Sequence, residues 1–207
     1  WCNPCYLIVM PIAINGSGSI TGLSVGGLPD GIVDADTLAT GVGGKVLQVK
    51  QTVKTDTFSQ SSVTKNTFSN DTGLNVSITP TSTSNKIYLS GTVNLSASNQ
   101  TTGLAIGLFK DGSVISSATG DQSGSNRSRV MHQSWVDTSY TGQIECLPFQ
   151  FIDSPSTTSA VTYGIRIMGL HSASTSHLYM NQSKSISDDE AYKGMTISVI
   201  TAMEVAA

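Results

Sequence analysis

The chain has 207 residues, enough for one substantial core, and only 12% of them are charged, about half the roughly 25% of an average soluble domain. Ser, Thr, Asn and Gly carry the polarity instead, which is the chemistry of exposed strand faces and tight turns. A formal net charge of -3 offers no footprint for nucleic acid, whose binding rests on Lys and Arg displacing phosphate counterions.

The first nine residues, WCNPCYLIV, precede Met10 and Pro11. Met10 is the expected natural start, with residues 1–9 an extension before it, the alternative being that the chain is a processed or partial product. The apolar run from Tyr6 to Ile14 is broken by Pro11 and falls far short of the roughly 20 residues that span a bilayer. No Lys or Arg precedes Lys45, so the basic flank of an export signal is missing too, and membrane insertion is not expected. Cys2 and Cys5 form a Cys-x-x-Cys pair with no strand before it and no helical pattern after it, which argues against a redox centre. Cys146, His132, His171 and His177 lie far along the chain, and their spacing matches no metal site.

From Ile14 to Gly44 the sequence is dense in Gly, with single aliphatics between: Ile20, Leu23, Val25, Leu28, Ile32, Val33, Leu38 and Val42. Such a pattern cannot enclose a core within one chain but can bury its apolar groups against copies of itself. Residues 10–44 are therefore expected to form an extended docking and oligomerisation arm, the alternative being a flexible tether. Asp34 to Leu38 offers one helical turn.

From Lys45 onward the pattern becomes strands separated by turns. Strands are expected at Val46–Val53, Val63–Phe68, Leu74–Ile78, Lys86–Ser98, Leu104–Phe109, Val130–Val136, Gln143–Ile152, Ala160–Leu170, His177–Asn181 and Met195–Val205. In Lys86–Ser98 the residues Ile87, Leu89, Val93, Leu95 and Ala97 fall on alternate positions, giving one apolar face. Lys110-Asp111-Gly112-Ser113 carries the Asp-Gly signature of a hairpin that Val114 and Ile115 continue. With no helices available for parallel crossovers, about ten strands over residues 45–207 predict an all-β, antiparallel jelly-roll sandwich. The last strand is expected to lie inside a sheet.

No catalytic set emerges. His132 and Ser134 share a strand face without a third orienting group, and a polar face explains them. His171 and His177 flank a Ser/Thr-rich loop, and Asp188-Asp189-Glu190 reads as a solvated loop rather than a calcium or glycosidase site. No enzyme activity, metal or cofactor is expected. The loop Gly120 to Val130 presents Asp121, Asn126, Arg127 and Arg129, donors and acceptors suited to a sugar or a partner protein, and it is the candidate recognition loop. Trp135, Tyr140 and Tyr163 are read as core or interface aromatics, with stacking on sugar rings as the alternative.

INGSGSITGLSVGGLPDG, then VDADTLATGVGGKVLQV, resembles the N-terminal part of tail-fibre-like and virion-surface proteins of bacterial viruses, marine ones in particular. The order downstream is similar as well: VKTDTFS, TGLNVSITPTSTSNKIYLSGTV, the GLFKDGSVI hairpin, the GDQSGSNRSR loop and the closing MTISVITAMEV strand. The resemblance implies a homotrimer of jelly rolls, broadly like the C1q and tumour-necrosis-factor architecture, docked on other virion proteins by its N-terminal segment. It carries over no active-site residue. The implied role is a tail fibre or fibre-like protein whose outward β domain contacts a host-surface glycan or protein. A capsid decoration or head-fibre protein is the alternative within that class, and a polysaccharide-cleaving tail enzyme the alternative outside it.

Overall fold

The computed structural model of the chain describes residues 45–61, 64–98, 102–121, 127–137, 139–170, 177–185, 191 and 193–207. The extension at 1–9, the arm at 10–44 with Ile20, Leu23, Val25, Leu28, Ile32, Val33 and Leu38, and Asn126 of the polar loop lie outside the described residues.

Short alternating segments punctuated by turn residues form eleven strands: β1 (Val46–Lys54), β2 (Phe58–Gln60), β3 (Asn75–Ile78), β4 (Lys86–Ala97), β5 (Thr102–Lys110), β6 (Ser113–Val114), β7 (His132–Val136), β8 (Glu145–Asp153), β9 (Val161–Gly169), β10 (Leu178–Met180) and β11 (Ser198–Val205). A 3-10 turn at Ser116–Ala118 follows β6. Asp111 and Gly112 both have positive φ, 48° and 81°, as a two-residue hairpin turn of matching twist requires.

One sheet runs β1-β11-β4-β8, with β2 and β10 lying end to end with β1 and β11 along the same side of β4. The other runs β3-β9-β5, with β6 and β7 end to end against the outer side of β5. All these pairings are antiparallel. When end-to-end strands count as one lane, the first lane pairs with the last, the second with the next to last, and so on inward. That is a long hairpin rolled into two sheets, the jelly-roll topology expected from the sequence. β11 lies between β1 and β4, as its position at the end of an amphipathic pattern suggested.

Pairing fixes the two ends of the sandwich. The N–H of Ala206 donates to the carbonyl of Lys45 at 2.7 Å, so the start of β1 and the end of β11 meet at one end, beside Lys86. Glu145 begins β8 opposite Leu95, toward the far end of β4. The turn from β7 to β8 therefore sits at the end opposite Lys45.

The inner faces interdigitate as Ile87, Leu89, Val93, Leu95, Leu147, Leu178, Met180 and Ile200 from one sheet and Val76, Ile78, Leu104, Ile106, Leu108, Val161, Ile165 and Ile167 from the other. Each such side chain contributes about 1.5–3 kcal/mol by leaving water. Two polar groups of this interior, Asp153 and Tyr163, pair with each other. Asp153 of β8 accepts from Lys110 Nζ of β5 at 2.9 Å and from the Tyr163 hydroxyl of β9 at 2.7 Å, tying the two sheets together. Burial first, and the Asp153 carboxylate second, push the Tyr163 hydroxyl well above its ordinary pKa, so it stays a donor.

Several boundaries differ from the sequence reading. At the expected strand Val63–Phe68, residues 64–67 form a turn closed by the Thr67 N–H on the Thr64 carbonyl. Asn66 there has φ 60°, incompatible with an extended strand. Phe68 alone bridges to Met168. β2 went unrecognised because its three residues carry one apolar side chain, Phe58.

Candidate functional site

The outer faces of the two sheets differ in kind. On the β3-β9-β5 sheet, Ala105, Phe109 and Met168 point outward yet are buried. Phe68 lies across this face at Gly107, where a Cβ would come within 2.5 Å of its ring, and meets Phe109 edge to face at 5.1 Å. Arg166 covers Phe109 from the other side, its guanidinium 4.3 Å from the ring centroid. The excursion between β6 and β7 reaches the same face, because Ser128 hydrogen-bonds Asn66 at the opposite edge.

The β1-β11-β4-β8 sheet has no such cover among the described residues. Register places Val49, Met203, Tyr88 and Ile152 in one row across it, then Gln51, Thr201, Ser90 and Gln150, then Val53, Val199, Thr92 and Pro148. No side chain in these rows is charged at neutral pH. Val49, Val53 and Ile152 are exposed, Ile152 to 60%. Ile197, one alternation before Val199, extends the apolar strip and is exposed too. These three rows, two of them largely apolar and none charged, form one exposed patch, bordered by Lys86 one alternation before Tyr88.

The residues singled out in the sequence fall in separate places. Asp121 and Arg127 are exposed. Arg129 Nε donates to the Gly120 carbonyl at 3.2 Å, beside the Gly120 N–H bond to Val130, so this arginine closes the base of its own loop. That loop leaves the side of the sandwich, between β6 and β7. His132 and Ser134 share a face but take different partners: His132 Nδ1 lies 2.8 Å from the Pro148 carbonyl, and Ser134 donates to Glu145 at 2.9 Å. His177 stacks on Tyr179. His171, Asp188, Asp189 and Glu190 lie outside the described residues. Among the described residues no group of three His, Cys, Asp or Glu side chains is placed to hold a metal ion, and no helix is long and apolar enough to cross a membrane.

The aromatic triplet divides. Tyr163 is fully buried, whereas Trp135 and Tyr140 are 56% and 69% exposed. Tyr140 belongs to the turn between β7 and β8, around a concavity of about 590 Å³ lined by Asp137, Ser139, Tyr140, Thr141, Gly142 and Gln143. Backbone and hydroxyl hydrogen bonds from Ser139 hold the Asp137 carboxyl below its usual range. A larger groove, about 890 Å³, runs along β8 past Met131, His132, Pro148, Phe149 and Phe151. Sequence reasoning missed the uncharged sheet face, which depends on register among four strands distant in sequence.

No family model matches the chain, and no curated protein does. Among solved structures it is similar to the VP2 subviral particle of infectious bursal disease virus, at 11% identity and a TM-score of 0.34 over 77% of this chain and 37% of that one. A structure of the Gx strain of infectious bursal disease virus is similar at 14% identity and a TM-score of 0.28, over 78% of this chain and 37% of that one. The chain spans little more than a third of the length of these proteins.

Proposed function

We propose that the chain is a non-enzymatic structural protein of a bacteriophage virion, a tail fibre or fibre-like homotrimer whose β domain faces outward and contacts the host surface. The carrying observation is the block of three uncharged rows on the outer face of the β1-β11-β4-β8 sheet, with Val49, Val53 and Ile152 exposed while the opposite sheet covers its own. Such a face is stabilised by meeting copies of itself around a common axis, where each aliphatic withdrawn from water contributes about 1.5–3 kcal/mol. Within the β domain the turn between β7 and β8 lies at the end opposite Lys45. The sequence resemblance to virion-surface proteins supports the same role.

Light scattering on the purified full chain tests the assembly: a mass of three chains is expected, and a stable monomer overturns the trimer. Immunogold labelling of particles made by the encoding phage tests the location. Gold at tail-fibre tips is expected, gold over the shell converts the reading to a capsid decoration protein, and unlabelled particles overturn the virion role.

A further inference from the structure

We propose that the turn between β7 and β8, with Trp135 beside it, is a binding site for a neutral or amino-bearing polysaccharide; this rests on the host-contacting role above and assigns that contact to particular residues. Trp135 alternates with the buried Val136 on β7 and so points to the outside of its sheet. Its indole packs beside Gly103, where a Cβ would lie 3.5 Å from Trp135 Cζ2 and 3.0 Å from Leu170. The ring lies beside this glycine with 56% of the residue open to solvent. Two residues further on, Asp137 starts the turn that lifts Tyr140 to 69% exposure.

The turn is braced from within. The Tyr140 N–H donates to the Asp137 carbonyl at 3.2 Å, and the Ser139 N–H to the Asp137 carboxylate at 2.9 Å. The Asp137 N–H donates to Gln143 Oε1 at 2.9 Å. Gln143 Nε2 in turn donates to Glu145 at 2.8 Å, which also accepts from Ser134. Tyr140 is therefore presented by a pre-organised frame, which lowers the ordering cost of binding.

The surrounding chemistry selects the ligand class. A saccharide offers flat C–H faces to aromatic rings and hydroxyls to carboxylate, amide and hydroxyl groups, and here Tyr140 lines a concavity edged by Asp137, Ser139, Thr141 and Gln143, with the exposed Trp135 two residues before Asp137 on β7. A protein-docking patch would surround its aromatics with aliphatics, as the other sheet's face does. The charged side chains of the turn frame are Asp137 and Glu145, both acidic, so an anionic polymer is repelled and a neutral or amino-substituted one is not. The site also occupies the end of the β domain opposite Lys45.

Saturation-transfer NMR on the full chain tests the site with dextran, galactan and chito-oligosaccharides as probes and heparin as the anionic control. Transfer to at least one neutral or amino-bearing probe is expected, and Trp135→Ala and Tyr140→Ala should each weaken it by about tenfold or more. Trp135→Phe, which keeps a ring against Gly103, should retain most of the binding, and Tyr140→Ala lies on an exposed turn where loss of folding is not expected. No transfer to any of these probes, undiminished transfer in both alanine variants, or transfer to heparin alone overturns the proposal. Gold labelling on the virion is independent of these outcomes, so a failed glycan site and a failed virion role give different results.

Discussion

Ser198 donates a 2.6 Å hydrogen bond to Oδ1 of Asn181, 17 residues earlier in the chain, and through that contact two strands act as one. β10 stops opposite Leu95 and β11 resumes beside Asn94, whose N–H donates to the Ser198 hydroxyl at 3.0 Å. The bond between Asn181 and Ser198 joins the two pieces of the lane along β4 across the break. Asn181 Nδ2 also donates to the Lys54 and Asp56 carbonyls at 2.8 and 2.9 Å, where β1 breaks before β2. One buried amide therefore staples both interruptions, and its φ of 65° turns the chain outward at a cost that Asn tolerates better than most residues.

Asn181→Ala should destabilise the domain by about 2–4 kcal/mol, since it strands two carbonyls and a hydroxyl and puts Ala at positive φ. Asn181→Gly removes the backbone strain and not the lost bonds, so urea midpoints should rank wild type, then Gly, then Ala. Equal midpoints for Ala and wild type would refute the staple.

Gly107→Ala should cost about 1–3 kcal/mol by forcing a methyl into the Phe68 ring. In a Phe68→Ala background the same change should be nearly neutral, a coupling that a double-mutant cycle measures directly. Additive effects would mean the ring shifts freely.

Glu204 is buried with no cation beside it. Burial alone raises its pKa, but donors from Asn85, Gln48 and both the backbone and hydroxyl of Thr81 more than offset this and hold it at about 2, against 4.5 for a free carboxyl. A depressed folded pKa gives stability that is complete above about pH 4.5 and is lost as the pH falls through about 2. Glu204→Gln turns an amide donor toward these donors and should cost about 1–3 kcal/mol near neutrality. Denaturation series from pH 7 to 2 should show that gap narrowing below pH 4.5, and a gap constant with pH would remove the carboxylate from the account.

Val49→Glu and Ile152→Glu place charges in the apolar row of the uncharged face. Each should reduce the mass in light scattering toward that of one chain while leaving the far-UV spectrum of the β domain unchanged. An intact trimer in both variants would move the interface elsewhere.

Alternation made β4, β9 and β11 legible, because Ile87, Leu89 and Val93, like Tyr163, Ile165 and Ile167, announce a buried face by period alone. The Asp111-Gly112 hairpin was legible from turn chemistry. β2 and the break between β10 and β11 were not, since three residues hold too few alternations and the break is defined by contacts to β4. The exposed aromatics were visible as residue types; period puts Tyr163 on the buried face of β9, whereas the exposure of Trp135 follows from its alternation with the buried Val136 on β7. Arg129 is exposed, and its Nε also donates to the Gly120 carbonyl, a local role that the sequence did not show.

The bond between Lys45 and Ala206 has a kinetic reading. In a rolled hairpin the first strand has its partner in the last, so on a ribosome β1 waits for almost the whole chain before its edge is covered. During that interval Val46, Leu47, Val49 and Val53 are an open strand with Lys45, Lys50 and Lys54 interspersed, and those cations are what discourages neighbouring nascent chains from pairing with it.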